Sequence, residues 1–150
     1  MRAICTVVKN ASLRVDGEVI SEIGKGLLVF CGFSEQDNKE NIEKALKKVA
    51  GLRVMDDPDG KLNCSLADVG GEMLFVSNFT LYGDVRKGFR PSFIESMKYE
   101  PAEELYQYAL ARLRDEYGVR VKGGVFGGDM KIEALHDGPI NIIIDSEDLQ

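Results

Sequence analysis

The chain is poor in the residues that build most metal and nucleophilic sites. Its 150 residues hold one histidine, His136, and three widely separated cysteines, Cys5, Cys31 and Cys64. Metal centres need ligands at close, repeated spacing, so no bound metal or other cofactor is expected. No Ser-His-Asp order and no Gly-x-Ser-x-Gly elbow is present, which excludes an ordinary serine hydrolase. The odd cysteine count, with no secretory leader ahead of it, reads as free thiols in a reducing cytoplasm, two of them buried in apolar runs. No apolar run approaches the ~20 residues of a membrane span, and no repeat or linker divides the chain. One cytoplasmic domain over residues 1–150 is expected, large enough to bury roughly 68–70% of its unfolded surface without staples.

Charge is also lopsided. Twenty-five acidic residues against 19 basic ones leave −6, which argues against a broad basic surface for nucleic acid. Two local basic clusters remain, Arg86, Lys87 and Arg90 in one, and Arg112, Arg114, Arg120 and Lys122 in the other. Each is either solvated surface charge or a local phosphate contact, and a nucleic acid held there would be salt-sensitive.

What the chain does have is strand pattern. Ala3 to Val8 reads as a strand, and Leu13 to Ile20 as a hairpin, because Asp16-Gly17 supplies the positive φ angles of a tight turn. Leu27 to Phe33 is nearly all apolar, as in a strand buried on both faces. Ile42, Ala45, Leu46 and Val49 recur at helical offsets and predict a helix over about Asn38 to Ala50. Leu52 to Met55 reads as a further strand. A second helix is predicted over about Pro101 to Tyr117, with Leu105, Tyr106, Ala109, Leu110 and Leu113 on one face and Gly118 as its stop. Strands resume at Val119 to Val121, Met130 to Leu135 and Ile140 to Ile144. The order predicts an α+β sandwich of β-sheets with two main helices packed outside.

Two segments do not serve a core. Ser77-Asn78-Phe79-Thr80-Leu81 places hydroxyls directly after the apolar run Met73 to Val76, and Asp137-Gly138-Pro139-Ile140-Asn141 breaks the chain before Ile142 to Ile144. Polar groups at strand ends beside a rigid Gly-Pro corner suggest a small-molecule or ester site. Ser77 and Thr80 are candidate nucleophiles or donors, or simply satisfied strand-end hydroxyls, since no base is visible to activate them. An X-Pro bond can be cis, and Gly138-Pro139 would then aim its carbonyls into a pocket. The glycine-rich stretch Gly123 to Met130 lacks the strand-loop-helix setting of a phosphate loop; Phe126 and Met130 fit either a platform for a base or core packing. His136 reads as a surface strand residue or a catalytic one.

In order and spacing these segments resemble the D-aminoacyl-tRNA deacylase family from Met1 to Asp145. Ala11-Ser12-Leu13-Arg14-Val15, Ile23 to Val29, Asp59-Gly60-Lys61 and Arg90-Pro91-Ser92-Phe93 follow the family's order. Its Ser-Gln-Phe-Thr-Leu signature is similar to Ser77 to Leu81, and its Asn-x-Gly-Pro-Val-Thr to His136 to Asn141. The resemblance implies a metal-independent homodimer that hydrolyses the ester between a D-amino acid and the terminal adenosine of tRNA. It implies backbone donors near the ester carbonyl from Ser77, Asn78, Phe79 and Thr80. Gly138, Pro139, Ile140 and Asn141 would form the loop that enters the partner's pocket and rejects L side chains. Phe126 and Met130 would line the adenosine pocket. Thr80 is implied as a site residue more than a nucleophile, because the tRNA's own 2′-hydroxyl is credited with helping the reaction.

Departures cluster at these motifs. The family's Gln-Arg-Val is Thr6-Val7-Val8, its glutamine is Asn78, its threonine is Asn141 and its asparagine is His136. Val7 removes the arginine that braces the Gly-Pro loop, which predicts a looser loop and weaker chiral rejection. Two alternatives go with this: a divergent editing paralogue acting on glycyl- or other misacylated tRNA, and a non-catalytic module that binds tRNA ends.

Overall fold

Alternating burial and β-branched residues draw the first fifteen residues into one long strand. In the computed structural model, which describes residues 1–149, β1 runs Arg2–Val15 and turns at Asp16-Gly17 (φ 50° and 80°) into β2, Glu18–Ile23. Both positive φ values suit the two-residue hairpin read from Asp-Gly. Next comes β3, Gly26–Gly32, with Leu27, Leu28 and Val29 all buried, as a strand covered on both faces requires.

Asn38 then starts α1, Lys39–Gly51: its side chain accepts from the Asn41 amide while the Asn41 side chain accepts from the Asn38 amide. That reciprocal pair satisfies two donors the helix would leave open. The stripe Ile42, Ala45, Leu46 and Val49 is buried as expected. The strand expected at Leu52 to Met55 is reduced to β4, Met55–Asp56, paired with β5, Leu62–Cys64. β6, Glu72–Ser77, leads to a 3₁₀ turn at Phe79–Tyr82, and α2 spans Tyr99–Asp115. β7 is Val121–Gly123. The two strands expected at Met130 to Leu135 and Ile140 to Ile144 are a single strand, β8, Lys131–Asp145.

Six strands form one curled mixed sheet in the order β2-β1-β3-β6-β7, with β8 on β1. The class is α+β, with two main helices outside. β1 pairs antiparallel with β8 from Arg2↔Asp145 to Arg14↔Lys131, and shares its other edge between β3 and β2. β3, β6 and β7 are parallel, so each link needs a crossover, and α1 and α2 lie in those crossovers. Lys122 donates to the Glu22 carbonyl (2.5 Å) and Ser21 to the Gly123 carbonyl (2.5 Å), bringing β2 against β7 and nearly closing the sheet.

One core fills the space between sheet and helices, with Cys5, Val29, Phe75, Leu46, Tyr106 and Leu113 in it. A smaller one, with Val8, Leu13, Leu28, Leu74 and Val76, fills the inside of the curl. Burying Tyr106 or Phe75 removes ~150–250 Å² of aromatic surface each, so these rings contribute a large share of the helix-side core. They stack with centroids 5.9 Å apart. Cys5 and Cys31 are buried free thiols, and Cys64 is partly exposed. No helix among the described residues is long and apolar enough to cross a membrane.

Candidate active site at the ends of two parallel strands

Two parallel neighbours, β3 and β6, end side by side, and the chain leaves both over one opening. A cavity of about 620 Å³ lies there. Its wall is built from four pieces: Phe30 to Phe33 at the end of β3, Val76 to Phe79 at the end of β6, Met97, Tyr99 and Ala102 at the start of α2, and Phe126 to Gly128 with Met130 and Ile132. Volume and mostly apolar lining suit a nucleoside-sized ligand with a few polar anchors.

The turn after β6 is pinned to β3. Asn78 donates its amide to the Cys31 carbonyl at 2.6 Å. Gly32 lets the two backbones approach: a Cβ there would stand 2.8 Å from the Asn78 carbonyl oxygen. The Asn78 side-chain oxygen accepts from the Thr80 amide (3.2 Å) and the Thr80 hydroxyl (2.5 Å). This is an Asx-type turn, which Asn favours because its amide copies a backbone acceptor. Arg2 holds the far side, donating to the Leu81 carbonyl (2.8 Å) while lying over the Tyr82 ring at 4.6 Å. Asp145 accepts from the same guanidinium at 2.8 Å. Burial opposes the Arg2 charge, but the Asp145 hydrogen bond and charge outweigh it and raise its pKa.

Ser77, Asn78 and Phe79 line the cavity, and Thr80 follows just outside its wall. The Phe79 amide has no acceptor among the described residues, whereas its neighbours' amides do. Thr80's hydroxyl donates to an amide oxygen, which is no base. His136 stands exposed on β8, paired with Val8.

The glycine-rich stretch makes the opposite wall. Tyr106, buried in α2, donates to the Phe75 carbonyl (2.7 Å) and accepts from the Gly124 amide (3.1 Å), so one hydroxyl ties β6 to the loop. Burial pushes that phenol up to about 12. Gly127 (φ 72°) turns the loop where any side chain would run into the Tyr99 ring, 2.6 Å away. The glycines serve close approach. Phe126 packs edge-on against Tyr99 (5.0 Å) and also meets Tyr106 (5.7 Å), so packing and lining are both true of it.

The second motif lies elsewhere. The Gly138-Pro139 bond is cis, both residues are exposed, and Gly138, Pro139, Ile140 and Asn141 do not line this chain's cavity. The corner bulges from the β1–β8 ladder between the pairs Thr6↔Asn141 and Val8↔His136. Thr6 donates to the Asn141 side-chain oxygen at 2.6 Å, and Val7, 5% exposed, faces the core.

Met97 and Tyr99 are site residues that motif reading passed over. Their signal is thin: Tyr99 precedes Pro101, which marks a helix start, and a helix start beside a strand end is a common cavity wall. No three His, Cys, Asp or Glu side chains are grouped to hold a metal ion among the described residues.

A family model described as D-Tyr-tRNA(Tyr) deacylase matches residues 4–145. The chain belongs to that family. Curated relatives named D-aminoacyl-tRNA deacylase include one from Desulfitobacterium hafniense (strain DSM 10664 / DCB-2), 48% identical over 147 residues and 98% of both chains. Another, from Thermosipho melanesiensis, is 43% identical with the same coverage. Among solved structures, one named c-Myc DNA unwinding element binding protein superposes with TM-score 0.92 at 39% identity, over 97% of this chain and 98% of that one. A probable eukaryotic D-amino acid tRNA deacylase shares the fold, with TM-score 0.81 at 19% identity over 95% and 97% of the two chains.

Proposed function

We propose that this chain is a D-aminoacyl-tRNA deacylase: it hydrolyses the ester between a D-amino acid and the terminal adenosine of tRNA, releasing free D-amino acid and tRNA. One observation carries the reading: Ser77, Asn78 and Phe79 share one nucleoside-sized cavity with Phe126 and Met130. Family membership supplies the reaction. In this reading the adenosine enters between Phe126 and Met130, and its ester carbonyl meets the open Phe79 amide. Water adds to the carbonyl carbon, the oxygen takes the charge, and that N–H stabilises it. The carbon–oxygen bond to the ribose then breaks and the ribose oxygen takes a proton. No side chain beside Thr80 is placed as a base, so the attacking water gives its proton to the substrate's 2′-hydroxyl as that hydroxyl passes its own to the departing ribose oxygen.

Substrate selection is assigned to the second motif. The Gly138-Pro139 corner is exposed and away from its own chain's cavity, which suits a homodimer in which each corner enters the partner's pocket, with Ile140 and Asn141 as its support. Aminoacyl-tRNA as substrate places the work in the cytoplasm. The test is incubation of purified protein with D-, L- and glycyl-esters of one tRNA, in excess EDTA, with sedimentation at the assay concentration. Rapid release from the D-ester by a dimer is expected. Preference for the glycyl ester would favour a divergent editing paralogue, and binding without release a silent tRNA-end module.

A further inference from the structure

The basic cluster next to the turn is not used by the mechanism above. Its loop, residues 83–98, leaves the Phe79–Tyr82 turn and returns to the cavity wall at Met97. Both ends are tied to the site: Phe93 packs edge-on against Phe79 at 5.0 Å, and Ser96 donates to the Phe79 carbonyl at 3.1 Å. The Asp84↔Ser92 bridge closes its neck, with mutual backbone bonds of 2.8 and 2.9 Å. Beyond that neck the tip is Val85 to Pro91. Phe89 there is fully exposed, at 104% of its reference surface. An exposed phenylalanine at the end of a braced loop loses apolar burial for no local gain.

The cations around it divide into two kinds. Arg86 is spent within the loop, donating to both Asp84 oxygens (2.9 and 2.8 Å) and reaching Glu95. Lys87 and Arg90, which flank Phe89, are exposed and make no ion pair among the described residues. In a chain of net charge −6, two exposed cations thus stand beside a bare ring. In the other basic cluster Arg112 pairs with Glu43, Arg114 with Asp115 and Lys122 with Glu72, while Arg120 makes no ion pair among the described residues and donates to the Gly70 carbonyl.

We infer that Lys87, Phe89 and Arg90 grip the single-stranded RNA leading into the cavity, Phe89 stacking on a base just 5′ of the terminal adenosine and the two cations meeting its flanking phosphates. This rests on the reading of the cavity as an adenosine site. Reach fits: Phe89 is four positions before Phe93, which packs on the wall residue Phe79, so the Cα atoms of Phe89 and Phe93 are no more than about 14 Å apart. Stacking on aromatic faces is tolerant of sequence, and cations beside the ring track the backbone. A second copy of this chain covering the apolar tip is the competing occupant, and dimer dissociation in the Phe89 variant distinguishes it.

The experiment compares native protein with Phe89→Ala, Phe89→Tyr and the double variant Lys87→Gln/Arg90→Gln. Hydrolysis is followed on D-aminoacyl-tRNA and on the D-aminoacyl ester of adenosine alone, and binding on a short fluorescent RNA of the acceptor-end sequence. Phe89→Ala is expected to lower kcat/KM on tRNA about 5- to 100-fold, mainly through KM, and to weaken RNA binding by a similar factor. The adenosine ester should be cleaved as before, and Phe89→Tyr should behave as native. The double variant should flatten the log–log salt dependence of binding by about 1.4, or ~0.7 per lost contact on single strands. Equal loss on both substrates, unchanged RNA binding, or dissociation of a dimer by Phe89→Ala would each overturn the inference. Failure of native protein to cleave either ester, with RNA binding still dependent on Phe89, would sink the hydrolase reading and leave the RNA grip standing.

Discussion

Replacing Gly32 by alanine tests how the active-site turn is placed. The added Cβ would stand 2.8 Å from the Asn78 carbonyl oxygen, 3.3 Å from the Tyr82 ring and 3.4 Å from the Leu81 Cβ. Ordinary contact begins near 3.4 Å, so the turn must retreat by about 0.6 Å, and backbone cannot swing aside as a flexible side chain can. The Asn78–Cys31 hydrogen bond, only 2.6 Å long, stretches with it. Overpacking costs about 1–3 kcal/mol and a weakened hydrogen bond about 0.5–1.5 kcal/mol. At ~2–4 °C per kcal/mol for a chain of this size, melting should fall by roughly 5–15 °C. Activity should fall further than stability implies. A ~1 Å misplacement can change rates by ~10²-fold, so this shift should cost roughly 10- to 100-fold in kcat, assayed well below melting. Gly51→Ala is the control: nothing lies within 4 Å of its Cβ, and it ends a helix, so neither stability nor rate should fall. Native kcat in Gly32→Ala would refute the claim that β3 sets the position of the turn.

Three further outcomes follow from named contacts. Thr80→Ala should reduce deacylation by less than ~10²-fold, because the hydroxyl's partner is an amide oxygen; a loss of ~10⁴ with intact folding would restore it as nucleophile. Burial pushes Glu43 up, yet hydrogen bonds from Arg112, Tyr108 and Tyr117 prevail and hold its pKa below the ordinary carboxylate value. Its contribution is therefore full above the unfolded value of about 4.3 and is lost as pH falls through the lower folded value, so Glu43→Gln should flatten the acid limb of a melting-versus-pH curve. Burial raises the Cys5 thiol to about 12 and pushes Cys31 up as well, so iodoacetamide on folded protein should modify Cys64 alone, read by peptide mass spectrometry.

Much of this was legible locally. Asp16-Gly17, the stripe Ile42 to Val49 and the apolar run Leu27 to Phe33 each carry a signal within a few residues, and each became the expected element. Leu52 to Met55 misleads because its residues are strand formers without a full-length partner: β5 offers only Leu62–Cys64, so the ladder is short. Gly138-Pro139 reads as a break, yet β1 pairs on both sides of it and the strand resumes, a matter of tertiary pairing that no window in the sequence contains. The same holds for the cavity. Ser77 to Phe79 announce themselves by polar groups after an apolar run, while Tyr99 and Met97 become wall residues only because α2 starts beside the end of β3.

The departures at the second motif form a unit in the fold. Val7, read as a lost brace, is buried against the core, so Val7→Arg would bury a guanidinium and measure stability more than looseness. The contact beside the corner belongs instead to the residue before Val7: Thr6 is 3% exposed and its hydroxyl donates to the Asn141 side-chain oxygen at 2.6 Å, immediately after Ile140. Two departures thus meet each other. If this pair steadies the Gly138-Pro139 corner, Thr6→Val, which keeps shape and removes the donor, should loosen it at a cost of about 0.5–1.5 kcal/mol. Because 1.4 kcal/mol is a factor of ten, the ratio of D- to L-ester hydrolysis should fall about 2- to 10-fold while D-ester kcat changes little. Asn141→Ala should give the same fall, and the two together no more than either alone, since they break one bond. A ratio that is unchanged in both single variants, or additive losses in the double variant, would show that the corner is held by something other than this hydrogen bond.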